Sequence, residues 1–298
     1  MKKDVLNIET VHQCNCCLGN KTLHPLVSVI DLSKTNLNQR TIKFDFYTIL
    51  LLEGEAEDFL YGRKYYDYSN ASIVFLTPGE SIEIDKCKLV CTKGWLLAFH
   101  PDLLSRTSLG ENIKNYSFFS YKPDEALHLS QREKTKVIEC MYSIKEELQH
   151  PIDYHSKTLI SRYIELLLDY CSRFYERQFI TRSEANKVII GQTDALLEEY
   201  IQSGKLESYI LPSASYCADL LYLSPHYFCD VLKFETGKSI YEYFQEKRLE
   251  VSKRMLSKQG NTVSMVAEKL GYSSTQYFSH LFKKLAGISP SEYRLTQS

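Results

Sequence analysis

No apolar run in this 298-residue chain approaches the roughly 18 residues needed to cross a bilayer. The first residues, Met-Lys-Lys-Asp-Val-Leu-Asn-Ile-Glu-Thr, are basic but lack the apolar stretch of a secretory signal, so a cytoplasmic protein with no membrane partner is expected. No disulfide framework is legible: the nine cysteines are odd in number and irregular in spacing, which suits reduced thiols. No low-complexity segment interrupts the chain. Nor is there an excess of positive charge, because 36 basic residues face 37 acidic ones and the net charge is −1. By that total alone, nothing points to nucleic acid.

The distribution of charge says more. From Leu232 to Ser298 there are 11 Lys and Arg against 6 Asp and Glu, a local +5, so the remainder carries −6. Length and composition fit about two globular domains, with 44% hydrophobic and 24% charged residues.

Residues 1–120 read as a β domain. Short apolar runs (Val27–Ile30, Phe44–Leu52, Asp58–Tyr61, Ser72–Leu76, Trp95–Phe99) alternate with turns at Glu53-Gly54 and Thr77–Glu80, which predicts a sandwich or small barrel. Its aromatics, Phe44, Phe46, Tyr47, Phe59, Tyr61, Phe75, Trp95 and Phe99, either fill a core or enclose a small ligand. From Ser130 the period becomes helical. Val137, Ile138, Met141, Ile144 and Leu148 form one stripe, Ser130 and Glu133 form a capping box, and His150-Pro151 ends the helix. A second helix carries Leu159, Ile160, Tyr163, Ile164, Leu167, Leu168, Cys171 and Phe174 over more than half its circumference. So wide a stripe needs a second partner besides the preceding helix, either the β domain or the same helix of another subunit. Residues 121–178 are therefore expected to dimerise, 179–192 to link, and 193–298 to form the C-terminal domain.

That domain contains an internal repeat. In its first unit Cys217, Ala218 and Leu221 face inward, Ser224-Pro225 starts a helix, Phe228, Val231 and Leu232 bury one side, and Gly237 stops it. In the second, Val263, Val266, Ala267 and Leu270 face inward and Gly271 turns the chain. Ser273-Ser274 then precede a helix burying Phe278, Leu281, Phe282 and Leu285. The open faces present His226, Cys229, Asp230 and Lys233 in the first unit and Thr275, Gln276, Ser279, His280 and Lys283 in the second. These are groups suited to base edges and phosphates of double-stranded DNA, Gln matching the donor–acceptor pair of adenine. A helix over about 239–257, roughly 28 Å long at about 1.5 Å per residue, can hold the two second helices about one DNA turn, ~34 Å, apart. A last helix begins at Ser289-Pro290-Ser-Glu292.

The segments Arg248–Leu256, Val266-Ala267, Gly271-Tyr272, Tyr277–Lys284, Gly287–Pro290 and Tyr293-Arg294 resemble the DNA-binding domain of the AraC/XylS family of bacterial transcription regulators, over about residues 193–296. Thr22–Ser28 and Gly94–Leu104 more loosely resemble the cupin-like sensor domain many members carry. The resemblance implies an α+β chain of two domains, a cupin-like β-barrel with a helical dimerisation segment and an all-α tandem helix-turn-helix. It implies promoter DNA as partner, a homodimer, and contact with RNA polymerase. It also implies that His226, Cys229 and Asp230, with Thr275, Gln276, Ser279 and His280, face bases. The family often has Arg where this chain has Asp230 and His280, so the first unit is the weaker reader. Two roles stay open for the β domain: sensing a small-molecule effector, or only dimerising and docking a partner protein.

Enzyme activity is not expected. A metal-dependent cupin needs two His and a Glu close together on one strand and a further His after its Pro-Gly turn, but Ser81–Asp85 after Thr77–Glu80 brings no His and no His-x-His occurs in the chain. His12, Cys14, Cys16, Cys17 and His24 are the one cluster with soft-ligand character, but Cys-x-Cys-Cys is not a structural-zinc spacing. No metal or cofactor is expected. Cys87 and Cys91, on one side of an expected strand and about 13 Å apart, are too distant to bridge.

Overall fold

The computed structural model describes residues 5–35, 41–53, 71–83, 93–208 and 211–297. The run Asp58–Tyr61 and residues Gly54, Phe59, Tyr61, Cys87 and Cys91 lie outside them. The chain divides into two compact units, Met1–Arg182 and Ser183–Ser298, and is a mixed α+β protein.

Eight strands are described in the first unit: β1 (Val5–Ile8), β2 (Val27–Asp31), β3 (Thr41–Phe44), β4 (Tyr47–Glu53), β5 (Ala71–Leu76), β6 (Ser81–Glu83), β7 (Lys93–Phe99) and β8 (Leu127–Leu129). They make a three-stranded sheet, β1-β3-β6, and a five-stranded antiparallel sheet, β2-β7-β4-β5-β8. Among the described residues no pairing joins the two sheets into a closed barrel. Leu50, Leu52, Val74, Leu76, Leu96 and Ala98 of the large sheet meet Ile8, Ile42, Phe44 and Ile82 of the small one across a single core. Helix α1 (Val11–Cys17) adds Val11 and Cys14 to it. This stretch, expected to be β structure, is helical because Thr10 and Gln13 form a reciprocal capping box.

The run expected as one strand over Phe44–Leu52 is two. The chain leaves the small sheet after Phe44 and enters the large one at Tyr47, with Asp45 N–H bonded to the Ile8 carbonyl at 3.0 Å and Phe46 fully buried at the crossing. An unbroken apolar run hides such a crossing, because both faces of the large sheet are buried. Its other face packs aromatic rings, with Phe75 4.4 Å from Phe118 and 5.3 Å from Phe119, and Tyr47 stacked 5.0 Å from Phe99. Between the sheets, the space walled by Ile8, Leu32, Phe44, Leu50 and Leu96 amounts to about 10 Å³, too little for a ligand.

After the short α2 (Ser108–Asn112), α3 (Gln131–Glu147) starts at the Ser130/Glu133 box and pairs with α4 (Ser156–Thr181). Arg177 of α4 grips the Glu133 carboxylate through Nε (3.0 Å) and Nη2 (2.8 Å), so the cap of one helix also anchors the other. On α4, Ile160, Ile164, Leu167, Leu168 and Cys171 are buried, whereas Leu159 (39%) and Leu166 (46%) stay exposed and Tyr163 and Tyr170 are half-buried.

The second unit is all helical: α5 (Ser183–Gln202), α6 (Ala214–Leu220), α7 (Pro225–Thr236), α8 (Ile240–Leu256), α9 (Val263–Lys269), α10 (Thr275–Ala286) and α11 (Pro290–Gln297). The residues expected as a linker, 179–192, are helical on either side of Arg182. Among the described residues no helix is long and apolar enough to cross a membrane.

Candidate nucleic-acid interface

Two stretches of the second unit repeat one set of local instructions 50 residues apart. Ser224 and Ser274 cap α7 and α10 by accepting from the N–H groups of Tyr227 (3.2 Å) and Tyr277 (3.1 Å). Gly237 and Gly287 end them in the left-handed conformation, each N–H reaching the carbonyl four residues back. Ser239/Glu242 and Ser289/Glu292 then open α8 and α11 as reciprocal boxes. Each α7 or α10 helix packs on a shorter predecessor: Cys217 and Ala218 of α6, like Val266 and Ala267 of α9, are buried, as are Phe228, Phe278 and Phe282.

The turn between the paired helices is also the same in both units. Leu223 N–H bonds to the Ala218 carbonyl (2.9 Å) and Tyr222 N–H to that of Asp219 (3.2 Å). In the second unit Tyr272 bonds to Ala267 (3.0 Å) and Gly271 to Glu268 (2.9 Å). This double closure requires a left-handed residue at Tyr222 (φ +61°) and at Gly271 (φ +66°). Glycine takes that conformation freely; tyrosine stores about 1 kcal/mol or more in it. Relief of that strain is the ground on which Tyr222→Gly is expected to stabilise the first unit by about 0.5–1 kcal/mol. Hydrogen exchange of the α6 and α7 amides reads this directly, and slower exchange is the expected outcome.

What remains open to solvent are the faces opposite the buried ones. His226 and Lys233 on α7 are exposed, and Cys229 and Asp230 are half-buried beside them. Burial, and then the Asp230 carboxylate, push the Cys229 thiol up, so it stays a neutral, weak donor. On α10, Gln276, His280 and Lys283 are exposed and Thr275 and Ser279 half-exposed, with the Thr275 hydroxyl 3.4 Å from that of Ser264. All nine candidate residues thus lie on two accessible helix faces. Leu285, expected inside, is 42% exposed, since the last turn of α10 runs past the apolar cluster that holds Phe278 and Phe282.

One residue central to the site is given no role by the sequence pattern alone. Arg248 is 3% exposed and faces inward from α8. Its Nη2 donates to the Leu270 carbonyl, its guanidinium lies 3.7 Å from the centre of the Tyr272 ring, and Nη1 reaches Gln245 at 3.3 Å. The connecting helix thereby clamps the turn of the second unit on both sides of Gly271. The signal was present in the sequence as an i, i+4 row, Phe244, Arg248, Ser252 and Leu256, all buried. On the neighbouring face of α8, Asp194 of α5 accepts from the Tyr243 hydroxyl (2.6 Å) and pairs with Lys247 (3.1 Å).

No three His, Cys, Asp or Glu side chains come together to hold a metal among the described residues. His24 is buried, with its Nδ1 accepting from Leu26 N–H at 3.1 Å, and burial pushes its pKa down.

Residues 217–296 match the family model of a helix-turn-helix domain. Over 114 residues the chain is 32% identical to the HTH-type transcriptional regulator YobQ of Bacillus subtilis, covering 34% of this chain and 47% of that protein. It is 25% identical to the HTH-type transcriptional regulator YijO of Escherichia coli, over 64% of each chain. A solved transcriptional regulator with an AraC-type DNA-binding domain, from Chromobacterium violaceum, is 20% identical over 39% of this chain and 96% of its own, with a TM-score of 0.34. The chain thus spans about half of YobQ and under two thirds of YijO. Residues 217–296 thus form a domain of the helix-turn-helix family.

Proposed function

We propose that the chain is a sequence-specific DNA-binding transcription regulator in which α7 and α10 each enter the major groove. The observation that carries this reading is the paired construction itself: two helices with identical caps, each burying one face and leaving polar groups on the other. Each also has a lysine in its last turn, Lys233 and Lys283, placed for phosphate contact. The connecting helix α8 has 17 residues, about 26 Å at about 1.5 Å each, which suits a separation near one helical turn of DNA. Of the two faces, the one on α10 has the fuller chemistry for base edges, while α7 offers a neutral thiol and a carboxylate.

For the N-terminal unit, a cupin-like sandwich, we favour dimerisation. Leu159, Tyr163, Leu166 and Tyr170 follow one another at four, three and four residues, the spacing of a coiled-coil seam, and stay partly or largely exposed on α4. The filled space walled by Ile8, Phe44, Leu50 and Leu96 leaves no room there for an effector between the sheets. Contact with RNA polymerase follows from the regulator reading alone.

The test is a comparison of affinities across operator variants selected from random duplexes. Gln276→Ala is expected to cost about 1–3 kcal/mol at one or two base pairs, with the rest of the site unaffected. Lys283→Ala is expected to weaken all sequences alike and to flatten the salt dependence. Uniform loss with Gln276→Ala, or selection of no sequence at all, would remove α10 as the reading helix.

A further inference from the structure

We propose that Cys16 is a covalent acceptor for soft carbon electrophiles of the α,β-unsaturated carbonyl class, with His12 as its base. The two side chains lie one turn apart on α1, with Cys16 Sγ 3.6 Å from His12 Nε2, and both are exposed. The other imidazole nitrogen, Nδ1, is 2.9 Å from the Thr22 hydroxyl. In the tautomer this proposal requires, Nδ1–H donates to Thr22 and the lone pair of Nε2 is directed at the thiol. Nucleophile, base and a third group that orients the base are the parts of an activated thiol site.

Thr22 is itself held. The amide of the fully buried Asn15 donates to the Thr22 hydroxyl at 3.2 Å, and the carbonyl oxygen of Asn15 accepts from Ser28 on β2 at 2.6 Å and from Asn20 at 3.2 Å. Asn15 thus ties Thr22, Asn20 and Ser28 together, so the network holds Thr22 and through it the ring of His12. The line of contacts runs from the solvent-exposed thiol to a strand of the large sheet.

The three cysteines of this helix are in three different states. Cys14 is fully buried and its thiol is pushed up to about 12, chiefly by burial, which makes it inert. Cys17 is exposed, but among the described residues no imidazole stands beside it. Only Cys16 combines access with a base. In the reaction His12 takes the Cys16 proton and the thiolate adds to the β-carbon. A sulfur–carbon bond forms, the carbon–carbon π pair shifts toward the carbonyl carbon as the carbonyl π pair moves onto oxygen, and the pair returns to re-form the carbonyl as the imidazolium gives its proton to the α-carbon. Nothing is oxidised and nothing leaves.

The test uses the full chain and N-ethylmaleimide, itself an unsaturated carbonyl compound, with the modified position located by fragmentation mass spectrometry. Cys16 is expected to react about tenfold faster than Cys17 in the same molecules. His12→Gln is expected to bring Cys16 to the rate of Cys17 and leave Cys17 unchanged, which a loss of folding would not do. Thr22→Val is expected to slow Cys16 several-fold, and Thr22→Ser to preserve its rate. Equal rates at the two cysteines, or a Cys16 rate indifferent to His12→Gln, overturn the proposal.

Discussion

Gly271→Ala is expected to unfold the second helix-turn-helix unit locally, at a cost of about 3 kcal/mol. Two penalties add here. An L-residue held at φ +66° costs roughly 1–2 kcal/mol. The new Cβ would also sit 2.2 Å from the carbonyl oxygen of Leu206, a buried backbone atom that no rotamer change can move aside. Overpacking of that kind costs about 1–3 kcal/mol. Hydrogen exchange measured along the full chain separates the units. The α9 and α10 amides are expected to lose protection, while those of α6 and α7 keep theirs. The equivalent position of the first unit carries Tyr222 with no such obstruction, which is why the two substitutions are expected to act in opposite directions. Unchanged protection in α9 and α10 would show that the turn tolerates a side chain and that its geometry is not what positions α10.

Arg248→Ala is the second change with a large expected effect, also about 3 kcal/mol, through the same turn. Removing the side chain leaves the Leu270 carbonyl without its charged donor, worth about 1.5–3 kcal/mol, and deletes a desolvated stack on Tyr272 worth about 2. Against this, the buried guanidinium no longer has to be desolvated, a cost visible in its lowered pKa. That offset keeps the sum near 3 kcal/mol rather than above it. Arg248→Met restores the volume but no donor, so about half the loss is expected to remain. Arg248→Lys keeps the charge without the flat fork that stacks and donates together, and it is expected to behave more like Met than like Arg. The readout is again exchange in α9 and α10, joined by DNA affinity. If Arg248→Ala matches the native protein, α8 serves only as a spacer.

Local chemistry made much of the C-terminal unit legible in the sequence. Ser224-Pro225, Gly237, Ser239/Glu242 and their counterparts 50 residues on are each decided within a few positions, and the structure places helix ends at each of them. The α10 face was readable because Phe278 and Phe282, four apart, fix which side is buried and so which side Gln276 and His280 present. The turn strain at Tyr222 was not readable, since only the pairing of its neighbours' amides forces a positive φ there. The role of Arg248 depends on Leu270 and Tyr272, more than twenty residues away, and a charged residue within an inward row reads ambiguously until its partners are known.

In the N-terminal unit the strands of three or four residues, β1, β3, β6 and β8, are too short to show a period. The crossing at Asp45-Phe46 is masked by an unbroken apolar run. Asn15 stands between two cysteines and reads as a surface residue, yet it is fully buried as the hub of a hydrogen-bond network that joins α1 to β2. The helical character of 179–192 was obscured by its polar composition, although Thr193 and Leu197 just beyond it are fully buried.

The central claim, that one chain reads two successive major grooves, is tested most directly by the spacing of its own operator. A selected operator is expected to contain two elements with centres about 10–10.5 base pairs apart. Inserting about half a turn, five base pairs, between them is expected to reduce binding to that of the stronger element alone, the one read by α10. Affinity that is indifferent to the insertion, or an operator with a single protected groove, would contradict the account.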